Sequence, residues 1–197
     1  MEMNIEKVSK IIQNRRSWYA AQMDEAVNIP NEDIWKLLKN ANYAPSHKRT
    51  EPWRFVVFDP NQLSSFFNKM SEIYLKTTRP EDVKEDKLKK YKMKALTLSH
   101  VIAICMKRDA AKRVPVKEEE YAVACAVQNI LLSMDSLNII GYWSTGKLAF
   151  LEETKTFLNL DIEDKCMGFL QLGVPKKGLP KFPKKQLSEI ETKVRWI

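Results

Sequence analysis

Three short segments of this 197-residue chain gather side chains suited to binding chemistry. Arg15-Arg16-Ser17 sets two guanidinium groups beside a hydroxyl. Guanidinium forks match the geometry of phosphate oxygens, and the serine adds a neutral hydrogen bond. Two arginines there also suit the plainer task of neutralising the carbonyl end of a preceding helix. The segment from Ala44 to Trp53 carries Pro45 and Pro52, which fix φ and keep it extended, with Ser46, His47, Lys48 and Arg49 between them. A stiff loop of that composition is a platform for an anionic or heteroaromatic ligand, or an ordinary surface connector. Gly141-Tyr142-Trp143-Ser144-Thr145-Gly146 places an aromatic pair beside two hydroxyls between glycines. It can seat a flat ring or simply end a strand in a turn.

What is missing narrows the chemistry. Only His47 and His100 are present, and His100 opens an apolar run, which reads as a satisfied structural histidine. There is no Ser-His-Asp order, no GxSxG elbow, no HExxH and no P-loop, and five glycines in all build no GxGxxG fingerprint. Cys105, Cys125 and Cys166 are far apart, with neither a disulfide framework nor metal-ligand spacing. Each lies among apolar neighbours and is expected in the core of a protein kept in a reducing compartment. The pattern argues against a hydrolase driven by side chains. An enzyme built this way leaves the chemistry to a cofactor, so no catalytic side chain and no metal are expected.

Positioning these segments falls to helices and a few strands. Ile5, Val8, Ile11 and Ile12 recur at helical spacing, so residues 4 to about 14 are expected as an amphipathic helix ending at Arg15. Asn31 reads as an N-cap for a second helix carrying Ile34, Leu37, Leu38 and Ala41. A strand is expected at 53–58, a helix carrying Leu63, Phe66, Phe67, Met70 and Ile73, and a buried strand at 100–106. The longest helical pattern runs from about Glu118 to Asn138 and is apolar nearly all round at one end, which predicts burial on two sides, within a core or between subunits. A short strand at 139–143, a helix from Phe150 to Leu158 and a strand at 166–174 complete the pattern. With two helices before the first strand and no regular βαβ repeat, the expectation is an α+β fold: a small mixed sheet with helices on both faces.

The length suits a single domain over 1–197, large enough to bury a core without disulfides. No signal-like leader and no apolar run of ~20 residues is visible, so a soluble, cytoplasmic protein with no membrane partner is expected. The net charge of +8 admits a nucleic-acid partner, a phosphorylated small ligand or a lysine-rich solvated surface. In Lys76–Lys94 the eight basic residues are interleaved with Glu81, Asp82, Glu85 and Asp86, which reads as a solvated surface helix and its loop. The tail over 176–197 is more basic, but no nucleic-acid-binding signature accompanies it, and no nucleic-acid partner is expected.

Taken together and in this order, the three segments resemble the FMN-dependent nitroreductase family, in its short, compact branch with a histidine at the position of His47. The resemblance runs from the N-terminal helix to the Leu172-Gly173-Val174-Pro175 ending. It implies an intertwined homodimer with two FMN sites at the subunit interface, each built from both chains. Arg15, Arg16 and Ser17 would hold the phosphate and ribityl chain. Pro45, Ser46, His47 and Arg49 would approach the flavin from the partner subunit. Trp143, Ser144, Thr145 and Gly146 would lie along the isoalloxazine, and Lys184 or Lys185 would reach the phosphate. The implied activity is a ping-pong transfer from NAD(P)H through FMN to a small-molecule acceptor such as a nitroaromatic or quinone. Three positions depart from the family's pattern: Tyr19 stands where a basic residue is common, Arg49 where an amide is common, and Glu51, within reach of Arg49, where glutamine is common. Rival readings are a non-catalytic basic protein that binds nucleic acid, a flavin-binding regulator without turnover, and a specialised dehydrogenase or flavin-fragmenting enzyme on the same scaffold.

Overall fold

The computed structural model describes residues 4–179 and 186–197. Its strands β1 (Trp53–Phe58), β2 (His100–Met106), β3 (Ile140–Ser144) and β4 (Lys165–Gly173) form one sheet in the order β1-β2-β4-β3. Alternation along β2, buried throughout, sorts the core. Val101, Ala103 and Cys105 face one apolar cluster, and Ile102, Ile104 and Met106 face the other. Helices α3 (Leu63–Thr77), α4 (Glu85–Thr97) and α6 (Glu152–Phe157) serve the first cluster. Helices α2 (Asn31–Ala41) and α5 (Val116–Ser133) serve the second. The α+β expectation, with helices on both faces, is met.

The mixed sheet is not: every strand pairing among the described residues is antiparallel. The connection through α5 explains the difference. It returns β3 parallel to β2 but one position away, and β4 then runs back through the gap in the opposite direction.

Local chemistry corrects three further expectations. Pro30, not Asn31, occupies the N-cap of α2, because the Asn31 carboxamide oxygen accepts a hydrogen bond of 3.0 Å from His100 Nε2. The long helix ends at Ser133, passes into a 3-10 turn at Met134–Leu137, and Asn138 adopts φ 54° to turn the chain into β3. Cys105 and Cys166 are buried, but Cys125 is exposed, because the stripe Tyr121, Cys125 and Gln128 on α5 faces away from the sheet.

Buried polar groups on the α2/α5 side are paired. The Ile29 amide donates to Ser99 Oγ at 2.7 Å, Ser99 Oγ lies 2.9 Å from His100 Nδ1, and His100 Nε2 donates to Asn31. Glu119, with no exposed side-chain surface, accepts from Arg108 Nη1 at 2.5 Å and from the Asp109 amide at 2.9 Å, tying α5 to the end of β2. By contrast α1 (Ile5–Asn14) has no buried residue, and Ile5, Val8, Ile11 and Ile12 are exposed. So are Leu187, Ile190, Val194, Trp196 and Ile197 near the C-terminus.

Candidate functional site

Two of the three segments meet. The Trp18 amide donates to the Gly141 carbonyl at 3.0 Å, and the Tyr19 and Tyr142 rings lie 4.8 Å apart, so the chain leaving α1 runs beside the free edge of β3. Arg16 turns back on its own helix, its Nη1 donating to Gln13 O and, at 3.0 Å, to Arg15 O. That is the helix-end task allowed for this pair. Arg15 is different: its guanidinium has no hydrogen bond or ion pair among the described residues. Both arginines line a cavity of about 280 Å³ with Trp18, Met134, Pro175 and Lys176. Ser17, exposed, follows at its edge.

The third segment is set by strand alternation. Tyr142 and Ser144 project toward α4, while Trp143 turns to the opposite face and donates its indole N–H to Met167 O at 3.0 Å. Gly168 supports this arrangement from beneath. At φ 122° it holds a conformation that L residues rarely adopt, and a Cβ there would lie 2.5 Å from Ser144 O. Gly146 is required by no such crowding, since a Cβ would meet nothing within 4 Å. Its backbone and the exposed Thr145 therefore border open space into which a ligand can approach closely.

Ser144 and Gly146 line a second cavity, about 240 Å³, with Lys94 and Gln171. Lys94 Nζ donates to Tyr142 OH at 2.9 Å, and that hydroxyl donates to Gln171 Oε1 at 2.9 Å. Burial, with a smaller push from Lys90, lowers the Lys94 pKa below the ordinary lysine value. Burial likewise raises the Tyr142 phenol. A cation held in partial burial by a neutral hydroxyl, facing a cavity, is a functional candidate.

Lys94 is the residue that sequence reasoning missed, whereas Tyr142 stood out there only as half of an aromatic pair and not for its hydroxyl. The signal lay within the charged run: Leu88, Tyr91, Ala95 and Leu98 pack on the core at helical spacing, and Lys94 sits on that apolar stripe instead of the solvated face.

The loop at 45–49 is placed elsewhere in the chain. His47 Nδ1 lies 2.5 Å from Glu118 Oε2, and Lys48 Nζ donates to Arg113 O at 2.9 Å, so the loop packs on the start of α5. Ser46 Oγ accepts from the Glu51 amide at 3.2 Å. Lys48, Arg49 and Glu51 all have positive φ, near 52°, 53° and 44°. Conformations of this kind cost on the order of 1–3 kcal/mol each and concentrate at ligand sites. Glu51 makes no ion pair with Arg49 among the described residues, and Arg49 is exposed. None of residues 45–49 lines the two cavities above. Lys184 and Lys185 lie outside the described residues.

Known proteins share this fold. A crystal structure of a nitroreductase-like family protein from Bacillus cereus superposes with a TM-score of 0.80 at 20% identity, covering 100% of this chain and 99% of that one. A crystal structure of a nitroreductase with bound FMN from Bacteroides fragilis gives a TM-score of 0.68 at 18% identity, over 99% and 100% of the two chains. In sequence, YfhC of Bacillus subtilis, whose name places it among NAD(P)H nitroreductases, is 24% identical over 169 residues, covering 85% of this chain and 84% of YfhC. A sequence model of the Nitroreductase family matches residues 12–174, which takes in the unpaired Arg15, the loop at 45–49 and the Ser144–Gly146 turn. With that span covering well over half of its length, the chain belongs to the Nitroreductase family.

Proposed function

We propose that the chain is an FMN-dependent oxidoreductase that works as a homodimer and draws its electrons from NAD(P)H. The observation that carries this reading is the line of open features along the β3 edge. Arg15, without a partner among the described residues, stands at one end, and the uncrowded Gly146 with the half-buried Lys94 stands at the other. That combination fits a ligand with an anionic end and a flat ring that gains negative charge. Bound there, FMN would supply the redox chemistry, passing electrons in a ping-pong cycle from NAD(P)H to a nitroaromatic, quinone or similar acceptor.

The chain's own residues bind and orient. Arg15 and Ser17 hold the phosphate, with Arg16 fixing the helix end that presents them. Trp143, Ser144, Thr145 and Gly146 offer main-chain and hydroxyl groups along the ring. Lys94, steadied by Tyr142, places positive charge where Tyr19 leaves none, at the edge where charge develops on reduction. Pro45, Ser46, His47 and Arg49 serve the site of the partner subunit, a reading supported by their absence from the lining of this chain's own two cavities. A second copy also gives the exposed apolar stripe of α1 and the apolar C-terminal residues something to cover, each side chain of this size gaining roughly 1.5–3 kcal/mol on burial.

An absorbance spectrum tests the reading. Purified protein is expected to be yellow, to lose that colour when NADH or NADPH is added without air, and to regain it with a nitroaromatic. A colourless preparation that takes up no added FMN ends it.

A further inference from the structure

The cavity beside Ser144 and Gly146 does not end there. Its inner surface is aromatic and apolar, with Phe66, Phe67, Met70 and Phe169. Lys87, Lys147 and Leu148 also line a second opening of about 550 Å³ that reaches past Tyr74, Thr77 and Lys84 to solvent. The two spaces adjoin across these three shared residues, and we read them as one passage from the surface to the edge of the proposed flavin site.

Charge in the inner cavity is one-sided. Lys87, Lys90, Lys94 and Lys147 all line the inner cavity, and no aspartate or glutamate does. Asp82 lines the outer space, where it pairs with Arg79, while Asp86 pairs with Lys89 and Glu153 with Lys76 away from the inner cavity. Two of the four ammonium groups are held in place: Lys87 Nζ sits 3.9 Å over the centre of the Tyr74 ring, and Lys94 Nζ is bonded to Tyr142. Lys90 works against protonation of Lys94, in addition to the larger effect of burial. Nor are these lysines needed by the ligand's phosphate, because the cavity with Arg15 and Arg16 shares no lining residue with either space. Gathered cations without counter-ions, over an aromatic floor, lack an anionic ring compound.

We propose that Lys87 and Lys147 make this passage select electron acceptors that carry a negatively charged group, a carboxylate, sulfonate or phosphate, beside the reducible ring. The lysines at the junction of the two spaces take the charge, and the aromatic lining takes the ring. The proposal rests on the reading of the Ser144–Gly146 turn as the flavin edge. Reducing a nitro acceptor to the nitroso compound consumes one NAD(P)H and one solvent proton and releases water, so the acceptor's anionic group is a handle and takes no part in the balance.

The test compares 4-nitrobenzoate with its neutral relative 4-nitrobenzamide on the FMN-loaded, full-length protein. Calorimetric affinity and kcat/KM are both measured, in the wild type and in a Lys87→Gln/Lys147→Gln variant. The wild type is expected to favour the benzoate by about tenfold or more, the scale of one charge-assisted hydrogen bond. The ratio is expected to fall toward unity in the variant and, in the wild type, as salt is raised. Equal affinity for the two compounds in the wild type, or a preference that survives in the variant, overturns the proposal. So does a variant whose only change is in NADPH against NADH, which would assign the lysines to the donor's phosphate. Lys147→Glu alone, at an exposed position, gives the same comparison where the double variant folds poorly: it should reverse the preference. Failure to take up FMN at all removes the underlying flavin reading, and the measured FMN content separates that outcome from lost selectivity in a loaded enzyme.

Discussion

The two faces of the sheet treat buried polar groups in opposite ways. On the α2/α5 side, His100 has a partner at each ring nitrogen, and Glu119 meets both the Arg108 guanidinium and a backbone amide. On the α3/α4 side, only six residues before His100, Lys94 is bonded to a neutral hydroxyl and faces three other lysines around a cavity. A polar group satisfied on every side locks a scaffold, whereas a charge left half-satisfied costs stability and is kept for what binds it. One face is closed chemistry and the other is open.

The largest expected effect lies on the closed face. Glu119→Ala leaves Arg108 buried without its carboxylate and should cost about 3–5 kcal/mol in urea unfolding. A loss below about 1 kcal/mol would break the contrast from that side. On the open face the sign should differ. Lys94→Met removes a partly desolvated charge and should leave the melting temperature of the flavin-free protein unchanged or higher. The same change should weaken FMN binding on the order of 1.5–3 kcal/mol, read by quenching of flavin fluorescence. Arg15→Ala should match that binding loss without unfolding the chain, because its guanidinium bonds to nothing among the described residues. Should Lys94→Met unfold the protein instead, the lysine is scaffold and the two faces are alike.

The same contrast decides what could be read from sequence. Elements whose apolar stripe is closed by this chain were readable: β2 from its β-branched run, α3 from Phe66, Phe67 and Met70, and β1 from the run between two loops. Tertiary partners chose what periodicity could not. His100 drew Asn31 away from its expected capping role, and the outward turn of α5 exposed Cys125. Sheet direction was hidden as well, because nothing local to β4 says that it fills a gap between two parallel strands. At the site, Arg15, Ser144 and Gly146 stood out by residue type, while Lys94 was lost among eight basic residues until its place on the Leu88–Tyr91–Ala95 stripe was seen. Arg16 shows the reverse, a residue of binding type occupied at a helix end.

The smallest expected effect concerns acid. Burial lowers the His100 pKa below its ordinary value of 6.5, with Asp59 opposing this only in part. Both ring nitrogens are engaged in a way that suits the neutral ring. The amide oxygen of Asn31 takes the Nε2 proton, and Nδ1 is left to accept from Ser99, whose oxygen already accepts from Ile29. As pH falls below about 6.5 the unfolded chain therefore gains a proton that the folded chain refuses, and stability declines until the folded pKa is reached. The slope from one such group is at most about 1.4 kcal/mol per pH unit. Asp109 adds a separate decline that starts as pH falls below its ordinary value of 3.8 and ends near pH 2, because the hydrogen bonds from Arg113 hold its folded carboxyl at about 2. Unfolding curves between pH 7 and 5 should thus fall less steeply for His100→Gln, which keeps an amide donor and an acceptor but does not titrate. Equal slopes would mean that His100 accepts its proton while folded, and the face read as closed would have an opening at the end of β2.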